Sequence, residues 1–117
     1  DCGLATEICS VFYILADQDD SFQSELAQSD CFERMVGAMR RFPDDLELHE
    51  MCAKAFLALC TKHTKNQRLF GEAGGVTEVL RMMSNFSGSR SLELTACALL
   101  RVACYDDGNR ERVTLEG

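Results

Sequence analysis

Proline occurs once in 117 residues and tryptophan not at all. A single proline leaves the backbone free to run in long helices, because proline is the residue that breaks them most strongly. Apolar runs are short as well. None of them approaches the roughly 18 uncharged residues of a membrane-spanning helix. Basic residues are few, with 12 Lys and Arg against 19 Asp and Glu, a net charge of −7 and a pI near 4.7. Nonspecific binding to nucleic acid or anionic lipid needs clustered Lys and Arg, so this balance argues against both. Cys-x-x-Cys, Gly-x-Ser-x-Gly and the Gly-Lys-Ser/Thr ending of a phosphate loop are all missing. No secretory signal is visible at the start.

The rest of the composition is that of one folded domain, 46% hydrophobic and 26% charged. The seven cysteines are Cys2, Cys9, Cys31, Cys52, Cys60, Cys97 and Cys104. Cys52 and Cys60, like Cys97 and Cys104, are about two helical turns apart. They read as small core residues with free thiols in a reducing compartment; a disulfide framework or a zinc site is the other reading. His49 and Cys52 have i, i+3 spacing but no further Cys or His nearby to complete a tetrahedral site. His63 has no nucleophile arranged with it. No catalytic, metal-binding or cofactor-binding residue is therefore expected. The paired acids Asp19-Asp20, Asp44-Asp45 and Asp106-Asp107 lie in links and read as helix caps.

The chain is organised around residues 66–103. A short amphipathic helix there runs into Gly74-Gly75, a second helix follows, and a long apolar helix comes after Ser87-Gly88-Ser89. This unit recurs. Ala96-x-Ala98-Leu99-x-x-Val102-Ala103 matches Ala53-x-Ala55-Phe56-x-x-Leu59-Cys60, 43 residues earlier. A further 44 residues back stands Cys9-x-Val11-Phe12-x-x-Leu15-Ala16. Leu26, Phe70 and Val113 repeat at the same intervals, as do Asp30, Gly74 and Gly117 at the break. The middle helices match at Phe32/Val76, Met35/Val79, Val36/Leu80, Met39/Met83 and Phe42/Phe86. The expected helices are 4–17, 21–29, 31–42, 47–61, 66–73, 76–86, 90–105 and 109–116, with Asn66 capping the fifth. Leu57 and Leu100 are expected in the core, so that alanine at either costs roughly 2–5 kcal/mol.

The stretch Asn66-x-x-Leu-Phe-x-Glu-Ala-Gly-Gly-Val76, followed by Ala96-x-Ala-Leu-x-x-Val-Ala103, resembles an armadillo repeat. The Gly-Gly break between a short and a longer helix distinguishes it from the two-helix HEAT unit. The resemblance implies an all-α fold, a right-handed α-solenoid of three-helix repeats, whose third helices line a concave groove. It divides the chain into a partial repeat 1–20, repeats 21–65 and 66–108, and a partial repeat 109–117, a piece of a longer array. Phe12 and Leu15 at one end, and Leu100 and Val113 at the other, lack a complete neighbour, so self-association through open repeat ends is open to such a piece.

Relatives of this kind bind extended peptides or partner domains in the groove, without catalysis. In the nuclear-import receptors a Trp and an Asn recur on the third helix. Here those places hold Ser10, Lys54 and Cys97, then Ile14, Ala58 and Arg101. With neither stacking aromatics nor the backbone-holding amide, import-signal binding is not implied. One turn earlier on the same face stand Thr6, Glu50 and Glu93. The expected partner-binding face is therefore Thr6, Ser10, Ile14, Glu50, Lys54, Ala58, Glu93, Cys97 and Arg101. The expected function is a protein-interaction scaffold for a protein or peptide, cytoplasmic, with the nucleus as the other location. No nucleic acid and no membrane are expected as partners. The alternative is an autoregulatory array controlling a catalytic domain elsewhere in a larger protein. The cluster Lys54, Lys62, His63, Lys65 and Arg68 is the densest basic patch and reads as a solvated face.

Overall fold

The structure is a computed structural model that describes residues 2–18, 25 and 30–116. The expected helix 21–29 lies, apart from Glu25, outside them. The described residues form helices and connections, with no strand among them. In chain order the helices are α1 (Cys2–Gln18), α2 (Cys31–Arg41), α3 (Leu46–Cys60), α4 (Thr64–Glu72), α5 (Gly75–Asn85), α6 (Arg90–Ala103) and α7 (Asp107–Glu116). The fold is all-α.

Helix starts follow from side chains that accept the orphan N–H groups of a first turn. Asp45 Oδ1 accepts from the Leu48 amide at 3.0 Å, and Ser89, 44 residues later, from the Leu92 amide at 3.3 Å. His63 Nδ1 accepts from the Asn66 amide at 3.3 Å, and Asp106, 43 residues later, from the Asn109 amide at 3.1 Å. Capping thus recurs at the repeat interval. The fifth expected helix begins earlier than the sequence reading, because His63 and not Asn66 is its cap. Asn66 sits in the first turn, fully buried, and its side-chain amide donates to the Leu59 carbonyl at 2.7 Å.

The breaks have two causes. Phe42, before Pro43, leaves helical geometry at φ −124° and ψ 64°, as a residue preceding proline tends to. Gly74 adopts φ 91°, a conformation in which a Cβ is strained. Its counterpart Asp30 has φ −78°, so the two breaks match in sequence position and not in geometry. At the end of α3, Thr61 has φ −63° and ψ 121°, Lys62 has φ 56°, and the His63 amide donates to the Cys60 carbonyl at 3.2 Å. This is a type II turn with lysine at the place that favours glycine.

Helices at equivalent places along the repeat pack on one another. α3 packs against α1 on one side and α6 on the other; α2 packs on α5, and α4 on α7. Phe32, Met35, Val36 and Met39 bury the stripe of α2 expected from their spacing. Phe56 of α3 lies 5.0 Å from Phe70 of α4 and 6.0 Å from Phe32, ring centre to ring centre, and Phe32 lies 6.2 Å from Phe70. Leu57 and Leu100, expected in the core, are half-buried against it; Phe56 and Leu99 take the fully buried places. Cys9, Cys31, Cys52 and Cys60 are buried as expected of core thiols, whereas Cys97 is exposed and Cys104 half-buried.

Neighbours decide burial. Leu48, Cys52 and Ala55 are fully buried on α3, which has α1, α2, α4 and α6 around it. Their counterparts 44 residues earlier, Leu4, Ile8 and Val11, are exposed on α1, which packs on α2 and α3.

A buried amide joins α4 to α7. Asn109 Nδ2 donates to the Gln67 carbonyl at 2.7 Å and to the Ala103 carbonyl at 3.0 Å, and Arg112 Nη1 donates to Asn109 Oδ1 at 2.9 Å. A Cβ on Gly71 would fall on Asn109 Oδ1. Gly71→Ala therefore displaces this amide and costs its two buried hydrogen bonds, although the Ala103 carbonyl keeps the Asp106 amide at 3.1 Å. Chemical denaturation should show a loss of about 1–3 kcal/mol. Lys62→Gly should move the midpoint the other way, gaining about 1 kcal/mol by relieving the left-handed lysine.

Candidate functional site

α1, α3 and α6 lie side by side because each carries a stripe of small apolar residues toward its neighbour. The stripe comprises Cys9 and Ala16 on α1, Ala53 and Cys60 on α3, and Ala96 and Ala103 on α6, all buried. The polar positions of these helices are left on the outside. A groove of about 330 Å³ runs along this row. Tyr13 and Ala16 come from α1, Lys54, Leu57 and Ala58 from α3, Thr61 follows at its end, and Thr95 stands on α6.

The nine residues expected on the partner face divide. Lys54 and Ala58 line the groove. Thr6, Ser10 and Glu50 are half-buried on the preceding turns of α1 and α3, and Ile14 is exposed beside Tyr13. Glu93, Cys97 and Arg101 are exposed on α6 and outside the groove lining, where Thr95 takes part instead.

Tyr13, Leu57, Thr61 and Thr95 escaped the sequence reading for a geometric reason. Steps of four residues rotate about 40° per step around a helix, so an i, i+4 row drifts off any one face. The lining of α3 is Lys54, Leu57, Ala58 and Thr61, an i, i+3, i+4, i+7 stripe. Applying that spacing to Lys54 would have found Leu57 and Thr61.

Chemically the groove has an apolar floor (Ala16, Leu57, Ala58), hydroxyls from Tyr13, Thr61 and Thr95, and one ammonium, that of Lys54. The neighbouring basic residues do not extend it. His63 accepts the Asn66 amide, Lys62 lies in the turn, and Arg68 pairs with Glu72 at 3.5 Å. Thr61 Oγ1 donates to the Leu57 carbonyl at 2.6 Å and Thr95 Oγ1 to the Ser91 carbonyl at 3.2 Å, so toward a ligand these two hydroxyls accept. Such a surface can hold main-chain amides on these oxygens and a small apolar side chain on the floor. It holds no nucleophile–base pair.

His49 is buried under the helix start: its Nδ1 lies 2.8 Å from the Asp45 carbonyl and its ring 5.1 Å from Phe86. Among the described residues no group of three or more His, Cys, Asp or Glu is placed to hold a metal ion. Nor is any helix among them long and apolar enough to cross a membrane.

A comparison with known proteins finds no matching family model, no matching curated protein and no matching solved structure.

Proposed function

We propose that this chain is a protein-interaction segment of armadillo type, whose third-helix row α1, α3, α6 binds an extended peptide or partner domain. The observation that carries the reading is the groove itself. It spans three helices that occupy the same place in successive units, and it combines an apolar floor with hydroxyls and one cation. The repeat interval, the like-on-like packing of helices and the recurring caps support the armadillo description. In this reading the affinity comes from shape and a few polar contacts, with Lys54 favouring an acidic group on the ligand.

The test uses a displayed random-peptide library selected on the folded chain. Selected peptides should bind with a Kd that Ala58→Glu weakens at least about tenfold, or ~1.4 kcal/mol, because the longer side chain fills the floor. Lys54→Glu should weaken most the peptides that carry an acidic residue. Lys54 is exposed, so that change should leave the folding free energy within about 0.5 kcal/mol. Selected peptides that bind both variants undiminished would place the interaction on another surface.

A further inference from the structure

Two thiols face each other across the α1–α3 contact. Cys9 Sγ and Cys52 Sγ are 3.4 Å apart, and both residues are buried. The repeat shows that packing does not require thiols here. Cys9 corresponds to Ala53, and Cys52 to Thr95, so the equivalent positions one repeat interval on hold an alanine and a threonine. The stack is built once with two thiols and once with none.

Access is provided for. A cavity of about 120 Å³ adjoins Cys9, with Arg34 and Met35 among its lining residues. It is ample for a molecule little larger than water. Arg34 is itself paired with Asp30 at 2.9 Å and faces solvent, so the thiolate, which is the reactive form, is favoured from within the pair. The hydrogen bond with Cys52 holds the Cys9 thiol below its ordinary range against the opposing effect of burial. Cys60 differs: burial, with Cys31 nearby, pushes its thiol well up and leaves it unreactive.

We propose that Cys9 and Cys52 are a hydroperoxide-oxidisable dithiol whose disulfide reversibly cross-links α1 to α3. The Cys9 thiolate attacks one oxygen of hydrogen peroxide; the O–O bond breaks, and the departing hydroxide takes a proton to become water. Cys9 is now a sulfenic acid, oxidised by two electrons while the peroxide is reduced. The Cys52 sulfur, giving up its proton, attacks the Cys9 sulfur; the S–O bond breaks, the S–S bond forms and a second water leaves. Two thiols and one peroxide become one disulfide and two waters. The sulfurs must close from 3.4 Å to about 2.05 Å for the bond to form. Tyr13 stands one turn beyond Cys9 and Lys54 two residues beyond Cys52, so the cross-link ties together the two walls of the groove.

The full chain is treated with stoichiometric hydrogen peroxide, then denatured, alkylated with N-ethylmaleimide and mapped by mass spectrometry. The expected result is a Cys9–Cys52 linked peptide, Cys60 still alkylated, and both thiols restored by dithiothreitol. Cys52→Thr and Cys9→Ala copy residues that the next interface already tolerates. In Cys52→Thr the Cys9 sulfenic acid should be trapped by dimedone; in Cys9→Ala, Cys52 should remain fully alkylatable. The proposal is overturned if wild-type Cys9 and Cys52 stay alkylatable while Met35 becomes a sulfoxide or Cys97 forms intermolecular disulfides. The wild-type map decides it even should either variant fold poorly.

Discussion

The ring of Phe70 is the contact on which the rest of the structure depends. It comes from α4 and meets Phe32 of α2 and Phe56 of α3. It also occupies the space in which a Cβ on Gly75 would lie. One side chain therefore joins α4 to α2 and α3 and packs against the start of α5. The Gly74–Gly75 pair answers to two separate demands: Gly74 supplies the positive φ, and Gly75 makes room for the ring.

Around that contact two polar devices hold helices together. Arg40 on α2 reaches α5, where its Nε lies 2.8 Å from Glu78 Oε2, and Arg81 lies 3.1 Å from the same oxygen. Glu78 is almost fully buried, so these two partners offset the cost of taking a carboxylate out of water. On the first-helix side Asn109 joins α7 to the α4 carbonyl of Gln67. Apolar contact favours the stacking, while the buried polar groups select one register of α2 on α5 and of α4 on α7. The row α1, α3, α6 is then left with a face of small and hydroxylic residues, and that is where the groove forms.

The sequence was read well where periodicity carries the information and poorly where a single side chain does. Repeat spacing placed α2, α3, α5 and α6 to within a residue or two, because a whole apolar stripe determines each of them. The start of α4 was misplaced because Asn66 has the chemistry of a cap, yet its amide donates inward to Leu59 while His63 does the capping. No propensity scale separates those roles, since both follow from where the preceding carbonyls end up. The groove was legible in part. Of its seven lining residues Lys54 and Ala58 follow from their position along the repeat, and Tyr13, the counterpart of Leu57, lies on the i, i+3 step from Ser10; Thr95 enters the lining only through the way α6 lies beside α3. That placement is a property of packing. The pairing of Cys9 with Cys52 escaped for the same reason: the two are not repeat equivalents and meet through the offset between adjacent helices.

Phe56 and Phe70, 5.0 Å apart, form the joint at which α3 and α4 bury their apolar faces against each other. A double-mutant cycle with Phe56→Leu and Phe70→Leu, read by chemical denaturation, measures that joint most directly. The account predicts a coupling of about 0.5–1.5 kcal/mol between the two rings. Effects that add to within about 0.3–0.5 kcal/mol would mean that the rings do not hold the units together.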